Sequence, residues 1–67
     1  MDEKHALEGH RRAIEEHIGK YERYKIEAPH SLRVTLATIE NIQKQIKDIR
    51  ARHPHWPAND RLDYWRP

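Results

Sequence analysis

Histidines are the residues of this sequence whose chemistry stands out first. Six occur in 67 residues, and imidazole is a common ligand of zinc. If the chain folds back on itself, His5 comes close to His53 and His55, and Asp2 or Glu3 can add a carboxylate. The sequence has no HExxH motif and no cysteine, the patterns that make a zinc prediction specific. We therefore interpret these histidines as surface and helix-end residues and predict no bound metal.

The sequence offers little that catalysis requires. It contains no glycine-rich phosphate loop, and its single serine, Ser31, lies where a helix is expected to start. No pair of carboxylates is forced together, because two helices alone cannot enclose a catalytic pocket. The sequence therefore predicts a protein that is not an enzyme and that carries no cofactor.

Positive charge is concentrated in one part of the chain. The formal net charge is only +2, yet residues 31–53 hold five basic and two acidic side chains. The basic residues expected to contact phosphates are Lys44, Lys47, Arg50 and Arg52. Trp56, Tyr64 and Trp65 can stack on unpaired bases, although no named nucleic-acid-binding motif is present. A nucleic-acid-binding regulator built on a dimeric hairpin is therefore the alternative functional hypothesis.

These groups must be positioned by helices, because hydrophobic residues recur at helical spacing in two segments. In the first, residues 3–27, the stripe includes Leu7, Ile14 and Tyr21 at seven-residue steps. In the second, residues 31–53, the spacing is three or four, at Leu32, Leu36, Ile39, Ile42, Ile46 and Ile49. Proline at position 29 interrupts the pattern. The predicted fold is all-α, an antiparallel, coiled-coil-like two-helix hairpin over residues 1–53.

Local features refine this hairpin. Ser31 is expected to cap the second helix. Arg11 and Glu15 stand four residues apart, the spacing at which opposite charges pair on a helix. Gly9 and Gly19 each cost about 1 kcal/mol inside an exposed helix, so we interpret them as positions that another chain approaches.

Residues 54–67, called the tail below, are predicted to be short and irregular. The tail holds both tryptophans and three of the four prolines. A single helical turn capped by Asn59 or Asp60 would place Leu62 and Trp65 on one side. Two alternatives stay open, since the tail can fold back over the hairpin or dock on a partner.

Protein–protein interaction is the leading functional hypothesis. A chain of 67 residues without cysteine has a small core and no disulfides, so a homodimer would supply burial that the monomer lacks. The predicted partner-binding residues are Trp56, Arg61, Leu62, Tyr64 and Trp65 in the tail and Tyr21 and Tyr24 in the first helix. The charged N-terminal residues contain no apolar run. We therefore expect a small cytoplasmic adaptor with no membrane partner.

Overall fold

The protein is an all-α helical hairpin followed by a short third helix. The computed structural model describes residues 2–67. Along the chain the elements are α1 (Glu3–Glu27), a 3₁₀ turn (Pro29–Ser31), α2 (Leu32–Arg52) and α3 (Asp60–Asp63). The predicted fold class is therefore confirmed. No helix within residues 2–67 is both long enough and apolar enough to cross a membrane.

Helix α1 has the bounds that the sequence predicts. Asp2 caps it, since its side chain accepts a hydrogen bond from the backbone N–H of Lys4 at 3.1 Å. The helix ends at Glu27 because the next residue, Ala28, leaves helical geometry with φ −152° and ψ 68°. Ala28 precedes Pro29, whose ring disfavours the helical conformation of the residue before it.

Helix α2 starts one residue later than predicted, and Ser31 does not cap it in the expected way. The Ser31 side chain forms no capping hydrogen bond within the described chain, and its backbone is already helical at φ −92° and ψ −5°. The 3₁₀ turn runs directly into α2, so Ser31 lacks the extended geometry that a capping serine uses. Its carbonyl oxygen instead accepts from the Thr35 hydroxyl at 2.9 Å. At the other end, the N–H of His53 donates to the carbonyl of Arg50.

The core contains residues from both long helices and from the tail. The buried hydrophobic side chains are Leu7, Ile14, Tyr21, Ile39, Ile46, Ile49 and Leu62. The periodicity predicted the helical members of this set. It also placed Leu32, Leu36 and Ile42 there, but these three are only half-buried. Thr35 and Gln43 are buried in α2 although they are polar.

The tail contains one ordered helical turn, as predicted. The Asn59 side chain caps α3 by accepting from the N–H of Leu62 at 3.2 Å. This turn buries Leu62 and leaves Trp65 half-buried against the core. Of the two predicted alternatives for the tail, the structure shows the one in which it folds back over the hairpin.

The two glycines of α1 lie where nothing in the monomer requires a glycine. A Cβ atom added to Gly9 or Gly19 would meet no atom within 4 Å, and neither has a positive φ. We expect Gly9→Ala and Gly19→Ala to raise the free energy of unfolding by about 1 kcal/mol each. Urea denaturation followed by circular dichroism measures this, and Ala13→Gly should lower the same quantity. A loss of stability in either alanine variant would mean that the glycine is needed.

Candidate functional site

The tail lies along one side of the hairpin, and helix geometry shows which side. In an α-helix the residue four positions after a core residue is rotated about 40° one way, and the residue three positions after it about 60° the other way. The polar partners of the tail each follow a core residue by four positions: Arg11 after Leu7, Gln43 after Ile39, and Arg50 after Ile46. The tail therefore covers the same side of both helices.

An ion pair between Arg11 and Asp63 fixes α3 to α1. Arg11 donates from Nε to Asp63 Oδ1 at 3.0 Å and from Nη2 to Oδ2 at 2.8 Å. The Asp63 side chain is only 2% exposed, and it also accepts from the backbone N–H of Asn59 at 3.1 Å. Two parallel bonds of this kind fix orientation as well as distance. Arg50 Nη1 lies 3.9 Å from the same carboxylate.

These contacts lower the pKa of Asp63. Burial is the largest single influence and acts in the opposite direction, because it disfavours the charged carboxylate. The hydrogen bonds from Arg11 and from the Asn59 backbone, together with the positive charges of Arg11 and Arg50, outweigh it. Asp63 is therefore held ionised within the protein.

Gln43 holds the end of the tail on α2. Its side-chain amide donates to the carbonyl oxygens of Leu62 and Trp65, each at 3.1 Å, and its Oε1 accepts from Arg66 Nη1 at 2.8 Å. A buried amide is stable only when its polar atoms are paired. These three bonds explain why α2 tolerates a buried glutamine.

Both tryptophans pack against the hairpin. Trp65 meets Tyr21 edge-to-face, with ring centroids 5.3 Å apart. Trp56 stacks on His53 at 3.8 Å with nearly parallel rings. The tail therefore runs from the end of α2 back along the hairpin towards Tyr21.

The predicted partner-binding residues are divided by the structure into buried and exposed groups. Leu62 and Tyr21 are buried, and a partner could reach Leu62 only by displacing the tail. Trp56, Trp65 and Tyr24 are half-buried, whereas Arg61 and Tyr64 are exposed. Partner binding by this set stays a prediction, and Arg61 and Tyr64 are its accessible members in the tail. The Arg61 side chain pairs with Glu15 at 3.2 Å on the surface.

Three of the four basic residues predicted for nucleic-acid binding come together at a cleft between α2 and the tail. This basic cleft, of about 380 Å³, is lined among others by Lys44, Lys47, Arg50, Tyr64 and Arg66. Arg50 Nη1 donates to the Tyr64 hydroxyl at 2.8 Å, which raises the pKa of Arg50 despite partial desolvation. Arg52 lies elsewhere, where it donates to Glu3 at 3.1 Å.

The histidines do not assemble a metal site. No group of three or more His, Cys, Asp or Glu residues among residues 2–67 is arranged to hold a metal ion. His53 Nε2 lies 3.3 Å from Glu3, and its ring centroid is 6.5 Å from that of His55.

The side of the hairpin opposite the tail forms a second surface, which we call the open face. Its members lie three residues after core residues or at four-residue steps along α2: His10, Ala13, His17 and Tyr24 of α1 and Val34, Thr38 and Ile42 of α2. Val34 is 69% exposed and the other six are half-buried. No lysine, arginine, aspartate or glutamate belongs to this set. His17 Nδ1 donates to the carbonyl of Ala13 at 2.8 Å, so part of its hydrogen-bonding capacity is satisfied within α1.

The sequence analysis missed the residues that hold the tail in place. Arg11, Gln43 and Asp63 were not predicted as a group, because their partners are 19 to 52 residues away in the chain. Comparison with protein-family models, curated proteins and solved structures found no significant match to this chain. Functional inference therefore rests on the two surfaces, the open face and the basic cleft.

Proposed function

We propose that this chain is a non-catalytic protein-interaction module that self-associates through its open face. The observation that carries the proposal is the absence of charged Lys, Arg, Asp and Glu side chains from that face in a chain that is 36% charged. Water-exposed helix faces normally carry the charges of such a sequence. A face that lacks them, and that includes the exposed Val34, is suited to contact with another protein surface.

A second copy of the chain is the occupant that the charge distribution favours. In a two-fold symmetric dimer the same patch meets itself, so a patch with one sign of charge would repel its copy. The open face avoids this repulsion because its only titratable side chains are two histidines and one tyrosine. Two hairpins packed in this way form a four-helix bundle, the arrangement in which amphipathic hairpins bury a common core.

The size of the molecule agrees with a stable dimer. Its principal extents are 39 × 21 × 14 Å, and the plane of the hairpin presents the two longer dimensions. That area is of the order of the roughly 800 Å² that each partner buries in a standard interface. Self-association would also add apolar burial to a chain whose monomeric core contains only seven buried hydrophobic residues within residues 2–67.

Val34→Lys tests this proposal without disturbing the monomer core. Val34 is 69% exposed, so lysine fits the monomer, but a symmetric dimer would bring two like charges into its interface. We expect the dimer dissociation constant, measured by sedimentation velocity over a range of protein concentrations, to rise at least about tenfold.

Ile26→Lys is the matched control, because Ile26 is also an exposed aliphatic residue, at 86%, but lies outside the open face. Its dimer dissociation constant should equal that of the unmodified protein. A protein that stays monomeric at every concentration, or a control that dissociates as readily as Val34→Lys, would contradict the proposal.

A further inference from the structure

The basic cleft contains a buried hydrogen-bond donor without an acceptor. Arg50 Nε is inaccessible to solvent and has no hydrogen-bond partner among residues 2–67. Such groups are rare in folded proteins, and an unsatisfied donor beside a cleft often marks the place of a ligand or ion. The remainder of the guanidinium group is oriented by Tyr64, whose hydroxyl lies 2.8 Å from Nη1.

The charges around the cleft favour an anionic ligand. Four of the lining side chains are cationic, namely Lys44, Lys47, Arg50 and Arg66, and two are anionic, Glu40 and Asp63. Arg11 already neutralises Asp63 through two hydrogen bonds. Lys44 and Lys47 are exposed and form no ion pair within the described part of the chain. A net positive charge therefore remains at the cleft.

The positive groups form a row rather than a single point. Lys44, Lys47 and Arg50 follow one another at three-residue steps, so each lies about 4.5 Å further along the axis of α2. Each step also turns by about 60°, which brings the row from the exposed lysines towards the partly buried Arg50. A row of cations suits a chain of phosphates better than an isolated carboxylate.

An exposed aromatic ring borders the same row. Tyr64 is 58% exposed, and the Arg50 guanidinium carbon lies 5.9 Å from the centre of its ring. The hydrogen bond to Arg50 holds this ring beside the cationic row. Exposed aromatic rings beside a basic groove are the combination with which proteins bind unpaired bases and their phosphates.

We propose that the basic cleft binds single-stranded nucleic acid, with successive phosphates contacting Lys44, Lys47 and Arg50 and one base stacked on Tyr64. The cleft lies on the tail side of the hairpin, away from the open face. Binding there is therefore compatible with self-association, and a dimer would present two such clefts on its outer surfaces.

The experiment is a titration of a fluorescently labelled twelve-nucleotide oligothymidylate with the full chain, followed by anisotropy at several salt concentrations. Three phosphate contacts on a single strand predict a slope of about −2 for log Kobs against log salt concentration. The double variant Lys44→Ala with Lys47→Ala should weaken binding and make the slope shallower by about 1.4. The control, Lys4→Ala with Lys25→Ala, removes the same charge from exposed positions of α1 and should leave the slope unchanged.

Two variants of Tyr64 test the stacked base. Tyr64→Ala should weaken binding about tenfold without changing the salt slope, whereas Tyr64→Phe, which keeps the ring, should retain most of the affinity. The oligomeric state of all these variants should match that of the unmodified chain, which separates this proposal from the one made for the open face.

Several results would overturn the proposal. They are equal affinity for the corresponding DNA duplex, equal or tighter binding to vesicles containing phosphatidylserine, the same loss in the Lys4 and Lys25 control, and no detectable binding at low salt. The first two would assign the cleft to general attraction of polyanions or to a lipid surface. The last two would remove it as a nucleic-acid site.

Discussion

Asp63→Ala should lower the free energy of unfolding by about 3–5 kcal/mol, the range found when one partner of a buried ion pair is removed. The Asp63 side chain is 2% exposed and that of Arg11 is 18% exposed, so the guanidinium left behind stays partly shielded from water. The substitution also removes the acceptor for the Asn59 N–H, which helps to shape the start of α3. Urea denaturation followed by circular dichroism measures the change.

The matched control is the other ion pair between α1 and the tail. Glu15 and Arg61 lie 3.2 Å apart, but their side chains are 60% and 66% exposed. Exposed pairs contribute about 0–1 kcal/mol, because both charges are already solvated and screened. Glu15→Ala should therefore leave stability almost unchanged. If Glu15→Ala and Asp63→Ala cost the same, burial does not determine the strength of the pair.

The same ion pair predicts how stability depends on pH. The pKa of Asp63 is lowered in the folded protein, whereas an unfolded aspartate titrates near 3.9, about its usual value. The unfolded chain therefore binds the proton more tightly, and acid favours unfolding. The contribution of Asp63 is fully present above the unfolded pKa and is lost as the pH falls through the folded pKa. In Asp63→Asn the melting temperature should decline less steeply below about pH 4 than in the unmodified protein.

The two long helices could be predicted because their signals are local. The periodicity of Leu7, Ile14 and Tyr21 and the interruption at Pro29 lie within a few residues of the structure they specify. The limits of α1 were predicted to the residue, and those of α2 within one residue at each end. Only the capping role of Ser31 was wrong, since the preceding 3₁₀ turn removed the geometry on which it depends.

The contacts of the tail could not be predicted from local spacing. Arg11 stands four residues before Glu15, and helix rules alone predict that the two will pair. In the structure Arg11 pairs with Asp63 and Glu15 pairs with Arg61. A buried bidentate partner outweighs an exposed one, but that partner is 52 residues away. Nothing in the spacing along α1 indicates its position.

A signal for the covering segment was nevertheless present in α2. Gln43 follows the core residue Ile39 by four positions and Thr35 precedes it by four, so both lie close to the buried stripe. The sequence analysis assigned Ile42 to the core and gave no role to Gln43. The structure shows the reverse emphasis, with Gln43 buried and Ile42 half-buried. A glutamine beside an aliphatic stripe can indicate that another segment will supply its hydrogen-bond partners.

Removing the tail by truncation after His53 should have the largest effect on this protein. The shortened chain loses Leu62 from the core, the edge-to-face contact of Trp65 with Tyr21, and both acceptors of the Gln43 amide. Deleting a buried leucine side chain alone costs about 2–5 kcal/mol. A domain of this size has a total stability of only about 3–10 kcal/mol. Residues 1–53 should therefore lose most of their helical circular dichroism at 25 °C and their cooperative unfolding transition.

Substitutions in the full-length chain separate loss of the core from loss of chain length. Leu62→Ala should reproduce much of the destabilisation, whereas Tyr64→Ala, at a residue that is 58% exposed, should have little effect on the melting temperature. Both tryptophans lie in the tail, so a red shift of tryptophan emission in Leu62→Ala would show that the tail has left the hairpin. If residues 1–53 keep the helix content and melting temperature of the full chain, the tail is not part of the core. Its aromatic residues would then be free to act as the partner-binding hook that the sequence also allowed.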